Sequence, residues 1–400
     1  MQYHQHRAGT EESENVYAER FASFGTTVFS EMTKRANERG AINLAQGFPD
    51  FDTPVEAVEE AVKALRGGEN QYARSMGHQP LVEAIAWKIE HDYGLKYDPW
   101  DEVLVTSGAT EGIASAFLGL LNPGDEVIFF EPHYDSYPAC ASMAGVKSRF
   151  CTLHFPEFQV DIDELERCFS ARTRVVFINT PHNPTGKVFS RDELEHIAER
   201  CIQRDVLVIT DEVYEHITYD GEKHVPMASL PGMRERTLTI SGAGKTFSMT
   251  GWRIGWATGP RNIIAAVQRA HQYVTFAPST PLQTALGVVL RTIGDGYFED
   301  LRRAYAARRA LLLEALQEAG LKAAIPRGTY YALADFTDLW QGDDRGFVRH
   351  LIERCGVAAI PPSAFYTIHP EEGKRLVRFA FCKRLETLSR AVERLRRFRP

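Results

Sequence analysis

Four polar clusters stand directly after four apolar runs, and their residue types could do chemistry. Lys245 lies in Ser241-Gly242-Ala243-Gly244-Lys245-Thr246, just past the apolar run 237–240. Phe247 and Trp252 follow it. A lysine that is poorly solvated has a lowered pKa and a nucleophilic amine. Asp211, Glu212 and Tyr214 follow the run 206–209, and a carboxylate at a buried strand end needs a partner. Asn179-Thr180-Pro181-His182-Asn183-Pro184-Thr185-Gly186 follows the run 175–178; its prolines lock φ and aim Asn183 in one direction. Ser107-Gly108-Ala109-Thr110 follows the run 103–105 and opens a helix, where free amides attract an anion. Arg253 adds a cation after Gly251-Trp252. Taken singly, each cluster has an ordinary reading: an exposed loop lysine, a capping aspartate, a rigid turn, a helix cap.

Together they match the needs of one cofactor. Pyridoxal 5′-phosphate requires a lysine for its aldehyde and an acid for its ring nitrogen. It also needs donors for its phenolate oxygen, with amides and a cation for its phosphate. Competing motifs fail on spacing. A phosphate loop ending at Gly244-Lys245-Thr246 needs glycine where Thr239 stands, and a dinucleotide fingerprint needs glycine at Phe247. No G-x-S-x-G and no H-E-x-x-H occurs. The six cysteines, Cys140, Cys151, Cys168, Cys201, Cys355 and Cys382, form no C-x-x-C pair, so no metal site is expected.

The elements that must position these residues alternate. Helix-like stretches at 55–65, 81–93, 108–121, 134–143 and 191–204 interleave with apolar runs at 103–105, 127–130, 175–178, 206–209, 237–240 and 254–258. Such alternation implies an α/β fold, a mostly parallel sheet with helices on both faces, and ligands at the carboxyl ends of its strands. After residue 295 the pattern changes to one long helix (297–319), strands near 329–336 and 377–381, and helices near 347–354 and from 385, as in a smaller α+β domain. The expected division is a large domain over 55–295 and a discontinuous small domain from 23–54 and 296–400. Residues 23–54 carry little regular pattern, and 1–22 form a polar extension.

The segments Ile42 to Phe51, Asn70-Gln71-Tyr72, Pro181 to Gly186, Asp211-Glu212-Val213-Tyr214 and Gly244 to Arg253 resemble those of the fold-type I, pyridoxal phosphate-dependent class I/II aminotransferases. Gln46-Gly47-Phe48-Pro49-Asp50-Phe51 is most similar to the kynurenine/glutamine transaminase and methionine aminotransferase branch. The resemblance implies a cofactor bound to Lys245 as a Schiff base. It implies Asp211 on the ring nitrogen, Asn183 and Tyr214 on the phenolate oxygen, and Tyr134 stacked on the ring. Arg253 and the amides of Gly108, Ala109 and Thr110 would hold the phosphate. Tyr72 would reach the cofactor of the other subunit of a homodimer. Arg378 would clamp the substrate carboxylate, Gly47 and Asn183 would line that pocket, and Phe276 would contribute across the dimer. Relatives commonly carry a phosphate-binding serine at the position of Gly242; here Ser241 stands one residue earlier.

The resemblance implies transfer of an amino group from an L-amino acid to a 2-oxo acid. The alternatives are a cysteine-conjugate β-lyase and an aspartate-type aminotransferase. Phe29, Tyr273, Phe276 and Phe365 are candidates for an apolar side-chain pocket. No second arginine stands out for a side-chain carboxylate, which favours methionine, glutamine, aromatic amino acids or kynurenine over aspartate. The chain of 400 residues has a formal charge of −7, from 46 basic and 53 acidic side chains, which argues against a nucleic-acid surface. Nothing approaches the length of a membrane-spanning apolar run, and the polar start lacks the apolar core of a signal peptide, so a cytoplasmic enzyme is expected.

Overall fold

The computed structural model describes residues 18–22 and 24–398; most of the polar extension 1–22 lies outside them. Its central sheet has seven strands in the spatial order Val103–Thr106, Gly255–Thr258, Thr237–Gly242, Leu207–Asp211, Thr173–Asn179, Glu126–Glu131 and Lys147–Thr152. Only Gly255–Thr258 runs antiparallel to its neighbours. The remaining pairs are parallel, as the strand–helix alternation predicts.

Side chains alternate between the two faces of these strands. Val127, Phe129, Val175 and Phe177 pack with Ile113 and Phe117 of the helix Gly108–Leu120 on one side. Ile128, Phe130, Val176 and Ile178 pack with Leu194 and Ile197 of Arg191–Gln203 on the other. That second helix begins with a capping box, Ser190 accepting from the Glu193 amide while Glu193 accepts from the Ser190 amide.

A second sheet of Leu376–Ala380, Tyr331–Asp335 and Lys322–Ala323 is antiparallel throughout. It packs with the long helix Asp295–Glu318 and the final helix Leu385–Arg397 in one hydrophobic cluster. Val28, Met32, Leu44 and Ala45 join that cluster, and so do Val213, Tyr214 and Ile217 from beyond the Leu207–Asp211 strand.

One expectation needs correction. Residues 23–54 are not patternless: Val28–Arg39 is a helix, with Thr27 accepting from the Ser30 amide and Gly40 ending it at φ 60°. Its buried residues are Val28, Met32 and Ala36, a stripe too narrow to stand out in a polar stretch. The structure adds helices Ile162–Cys168, Arg261–Val274 and Thr280–Thr292 and the edge strand Lys147–Thr152, which the apolar pattern does not mark. Among the described residues, no helix is long and apolar enough to cross a membrane.

Candidate active site

The carboxyl ends of the central strands open into a cavity of about 790 Å³. Gly108, Ala109, Thr110, Tyr134, Asn183, Asp211, Tyr214, Lys245 and Arg253 all line it, as does Gly47 from the N-terminal segment.

Lys245 sits on the short helix Ala243–Thr246, one turn past the strand Thr237–Gly242. Its Nζ has a single long contact, 3.5 Å to the Gly47 carbonyl oxygen, and stands 5.8 Å from the Tyr214 ring. Burial lowers the pKa of its ammonium against the opposing pull of Cys382 and Asp211.

Asp211 ends its strand with Oδ2 accepting from the Tyr137 hydroxyl at 2.8 Å and Oδ1 accepting from the Val213 amide at 3.3 Å. Burial pushes its carboxyl up to about 6, although these two donors pull the other way. Asn179 holds the neighbouring loop: its Nδ2 donates to the Asp211 carbonyl at 2.8 Å and its Oδ1 accepts from the Asn183 amide at 2.8 Å. The Tyr214 hydroxyl lies 3.1 Å from that of Tyr331.

The phosphate end is built by close backbone approach. Gly108 begins its helix at φ +74°, and a β-carbon there would stand 2.5 Å from a guanidinium nitrogen of Arg253. A β-carbon on Gly255 would stand 2.7 Å from the Ala109 amide nitrogen. Arg253 itself takes the left-handed conformation at φ 53°. Two glycines therefore leave room for a guanidinium beside free helix-start amides.

These residues fit pyridoxal 5′-phosphate. The Asp211 carboxylate is buried without a cation in hydrogen-bond contact, the Lys245 amine is only weakly engaged, and an amide-and-guanidinium cradle faces the same space. Ser241 does not join the cradle. Its hydroxyl donates to Glu215 at 2.8 Å, within a buried group that also holds Lys88 and Tyr93, and only Gly242 reaches the cavity.

Arg378, on the strand Leu376–Ala380, is 1% exposed. One terminal nitrogen donates to Asn183 Oδ1 at 3.1 Å and the other to the Ala45 carbonyl at 2.7 Å. Its Nε has no partner, and the rings of Tyr331, Phe29 and Phe365 stand 4.3, 5.1 and 5.3 Å from the guanidinium. The Gly47 carbonyl accepts from Tyr330 at 2.7 Å, and a β-carbon on Gly47 would overlap the Tyr331 hydroxyl.

Arg378 stands against the lining residues Asn183, Phe29 and Tyr331 without lining the cavity itself, and two predicted residues lie elsewhere. Tyr72 and Phe276 do not line the cavity; they meet edge to face at 5.2 Å, 84% and 45% exposed, beside the exposed Tyr273 and Val274. Of the candidate pocket aromatics, Phe29 lines the cavity and Phe365 is buried behind it. The sequence reading missed Tyr137, Tyr331, Gln46 and Arg345. Gln46 adjoins Gly47, which the sequence analysis names, but nothing local marks Tyr331 or Arg345.

The model of the family "Aminotransferase class I and II" matches residues 39–395. A Mycobacterium tuberculosis protein described as a probable N-succinyldiaminopimelate aminotransferase is 46% identical over 388 residues, covering 94% of this chain and 97% of its own. Methionine aminotransferase of Escherichia coli is 42% identical over 373 residues, 93% of this chain and 96% of its own. The structure of an E. coli methionine aminotransferase superposes with a TM-score of 0.92 at 39% identity, over 96% of this chain and all (100%) of the other. That of the M. tuberculosis N-succinyldiaminopimelate aminotransferase gives 0.92 at 45%, over 95% and 99%. Sequence, fold and the chemistry of the strand ends thus agree, and the chain belongs to the pyridoxal 5′-phosphate-dependent class I and II aminotransferases.

Proposed function

We propose that this aminotransferase takes its amino group from L-amino acids with long, uncharged or aromatic side chains, of the methionine, glutamine, aromatic or kynurenine kind, and passes it to a 2-oxo acid. The observation that carries this reading is that Lys245, Asp211 and Asn183 line one cavity with Phe24, Phe29, Phe48 and Tyr134. The substrates named for the relatives differ, so kinship assigns the reaction and leaves the donor to the cavity.

The cofactor, when bound, supplies an electron sink for the α-carbon's electrons. Lys245 Nζ accepts the α-proton and later returns it. Its depressed pKa favours the neutral amine that this task requires. Asp211, held by the Tyr137 hydroxyl, would face the ring nitrogen as a carboxylate and favour its protonated form. Asn183 and Tyr214 would hold the cofactor's phenolate oxygen, Tyr134 would lie beside its ring, and Gly108, Ala109, Thr110 and Arg253 would hold its phosphate. Arg378 meets the substrate carboxylate with a planar fork, for which lysine is a poor substitute. The Gly47 backbone lines that pocket.

Phe29 stands against Arg378, so we take substrate entry to involve movement of the 23–54 and 296–400 parts relative to 55–295. We take the working unit to be a homodimer. Tyr72, Tyr273, Val274 and Phe276 form an exposed apolar patch, from which Tyr72 would reach the partner's cofactor and Phe276 the partner's substrate. Six unpaired cysteines among the described residues support a reducing, cytoplasmic setting.

A donor panel against several 2-oxo acids tests the substrate assignment. Methionine, glutamine, aromatic amino acids or kynurenine should exceed aspartate in kcat/KM. An exclusive preference for aspartate would overturn it.

A further inference from the structure

The helix Gly108–Leu120 offers its first amides to the cavity, yet the same turn carries an acid. Glu111 directly follows Thr110, and its Oε2 accepts from the Ser107 amide at 3.0 Å. Its Oε1 accepts from the Ser115 hydroxyl one turn further on. A carboxylate is well placed at the positive end of a helix, but it opposes any second anion that binds there. A phosphate on Gly108, Ala109 and Thr110 needs that charge offset.

His271 can offset it. It lies in the last turn of the helix Arg261–Val274, 160 residues from Glu111, and is fully buried. Its Nδ1 stands 3.1 Å from both Glu111 carboxylate oxygens, and its Nε2 stands 3.1 Å from the Ser75 carbonyl oxygen. Both ring nitrogens therefore face acceptors. A neutral imidazole has one N–H and serves one of them, whereas an imidazolium serves both. A protonated Glu111 would be the other solution. Burial does push that carboxyl up, but the His271 ring, the Ser115 hydroxyl and the Ser107 amide outweigh it and hold it below the usual carboxylate range. The pair is thus a carboxylate and an imidazolium.

The second ring contact reaches another part of the site. Ser75 belongs to the segment 70–77, which also bears Tyr72. That segment is fixed at the Gln71 carbonyl, which accepts from the Thr280 hydroxyl at 2.6 Å. It is fixed again at the Met76 carbonyl, which accepts from the Val105 amide at 2.9 Å, on the strand that leads into Ser107. His271 also takes the Thr275 and Phe276 amides on its own carbonyl, at 2.9 and 3.1 Å. One residue ties the first turn of the helix to both segments of the exposed Tyr72–Phe276 patch.

We propose that His271 is a positioning residue for the cofactor phosphate: as a buried imidazolium it neutralises Glu111 and holds the first turn of Gly108–Leu120 against the segment bearing Tyr72. It does not line the cavity and acts through Glu111 and the backbone. This rests on the reading that Gly108, Ala109, Thr110 and Arg253 hold the phosphate.

The test titrates cofactor-free protein with pyridoxal 5′-phosphate and with pyridoxal. The ratio of the two Kd values isolates what the phosphate contributes. His271→Gln leaves the Glu111 charge unopposed and should cut the preference for the phosphorylated form about tenfold, with the pyridoxal Kd within twofold of wild type. The double variant Glu111→Gln, His271→Gln removes both charges and should return the preference to within threefold of wild type. An unchanged preference in His271→Gln would overturn the proposal. So would equal weakening of both ligands, or a double variant no better than the single one, since a merely structural histidine gives those results. Neutron diffraction from wild-type crystals tests the charge without a variant: deuterium is expected on both His271 ring nitrogens, and deuterium on only one would overturn the proposal. Wild-type protein that bound pyridoxal as tightly as pyridoxal 5′-phosphate would instead overturn the phosphate reading on which it rests.

Discussion

Tyr137 donates its hydroxyl to Oδ2 of Asp211 at 2.8 Å, a contact between side chains 74 residues apart in sequence. It joins the helix Ser136–Met143 to the end of the strand Leu207–Asp211. The bond favours the ionised carboxylate, the form that a cationic ring nitrogen needs. Tyr137→Phe should therefore weaken cofactor binding. A hydrogen bond to a charged group is worth about 1.5–3 kcal/mol, so the cofactor Kd should rise roughly tenfold or more. Titrating cofactor-free protein with pyridoxal 5′-phosphate checks this, and an unchanged Kd would remove Tyr137 from the account.

Asp211 also links pH to the stability of the cofactor-free protein. Its carboxyl, raised by burial from 3.8 to about 6, holds its proton more tightly folded than unfolded. Its stabilising contribution is complete below about 3.8 and is lost as pH rises through about 6. At pH 7.5 the ionised group then costs the fold about 3 kcal/mol. Asp211→Asn should accordingly stabilise the cofactor-free protein at pH 7.5, by up to about that amount, and change little at pH 4. The same variant should lose activity by about a hundredfold or more. Urea denaturation at the two pH values, with turnover measured alongside, separates the two effects.

The strand-end chemistry was legible because buried strands read as apolar runs and their polar residues follow immediately. Lys245, Asp211 and Asn183 were placed by that rule alone. Arg378 and Gly47 came from resemblance, since each acts through a partner far away in the chain. Tyr137 was not legible: an aromatic residue in a helix looks like core until its hydroxyl is seen at Asp211. Arg345 was not legible either, since its cavity position depends on a helix cap and on Glu31, 314 residues away. The helix Val28–Arg39 escaped notice because it buries so narrow a face, and Lys147–Thr152 because Lys147 and Arg149 are exposed on an edge strand.

Gly47 has no room for a side chain. A β-carbon would overlap the Tyr331 hydroxyl, which itself lies against Tyr214. Gly47→Ala should cost about 1–3 kcal/mol of stability, the usual range for overpacking. It should also lower kcat/KM by displacing the Gly47 carbonyl from Tyr330. Thermal denaturation and steady-state kinetics test both parts; a variant with wild-type values would show that the loop moves freely.

Ser241 offers the opposite expectation. Its hydroxyl is engaged by Glu215 rather than turned to the cavity. Ser241→Ala should cost about 1 kcal/mol of stability, the net worth of one hydrogen bond, and leave the cofactor Kd within twofold. A large loss of cofactor affinity with no loss of stability would assign the serine to the phosphate after all.

In the proposed mechanism the amine of Lys245 carries the cofactor. Reducing the holoenzyme with borohydride and mapping its peptides by mass spectrometry tests it most directly. The cofactor's added mass should appear on the peptide containing Lys245 and be absent when Lys245→Ala is treated alike. Added mass on any other lysine, or none on the wild-type peptide, would contradict it.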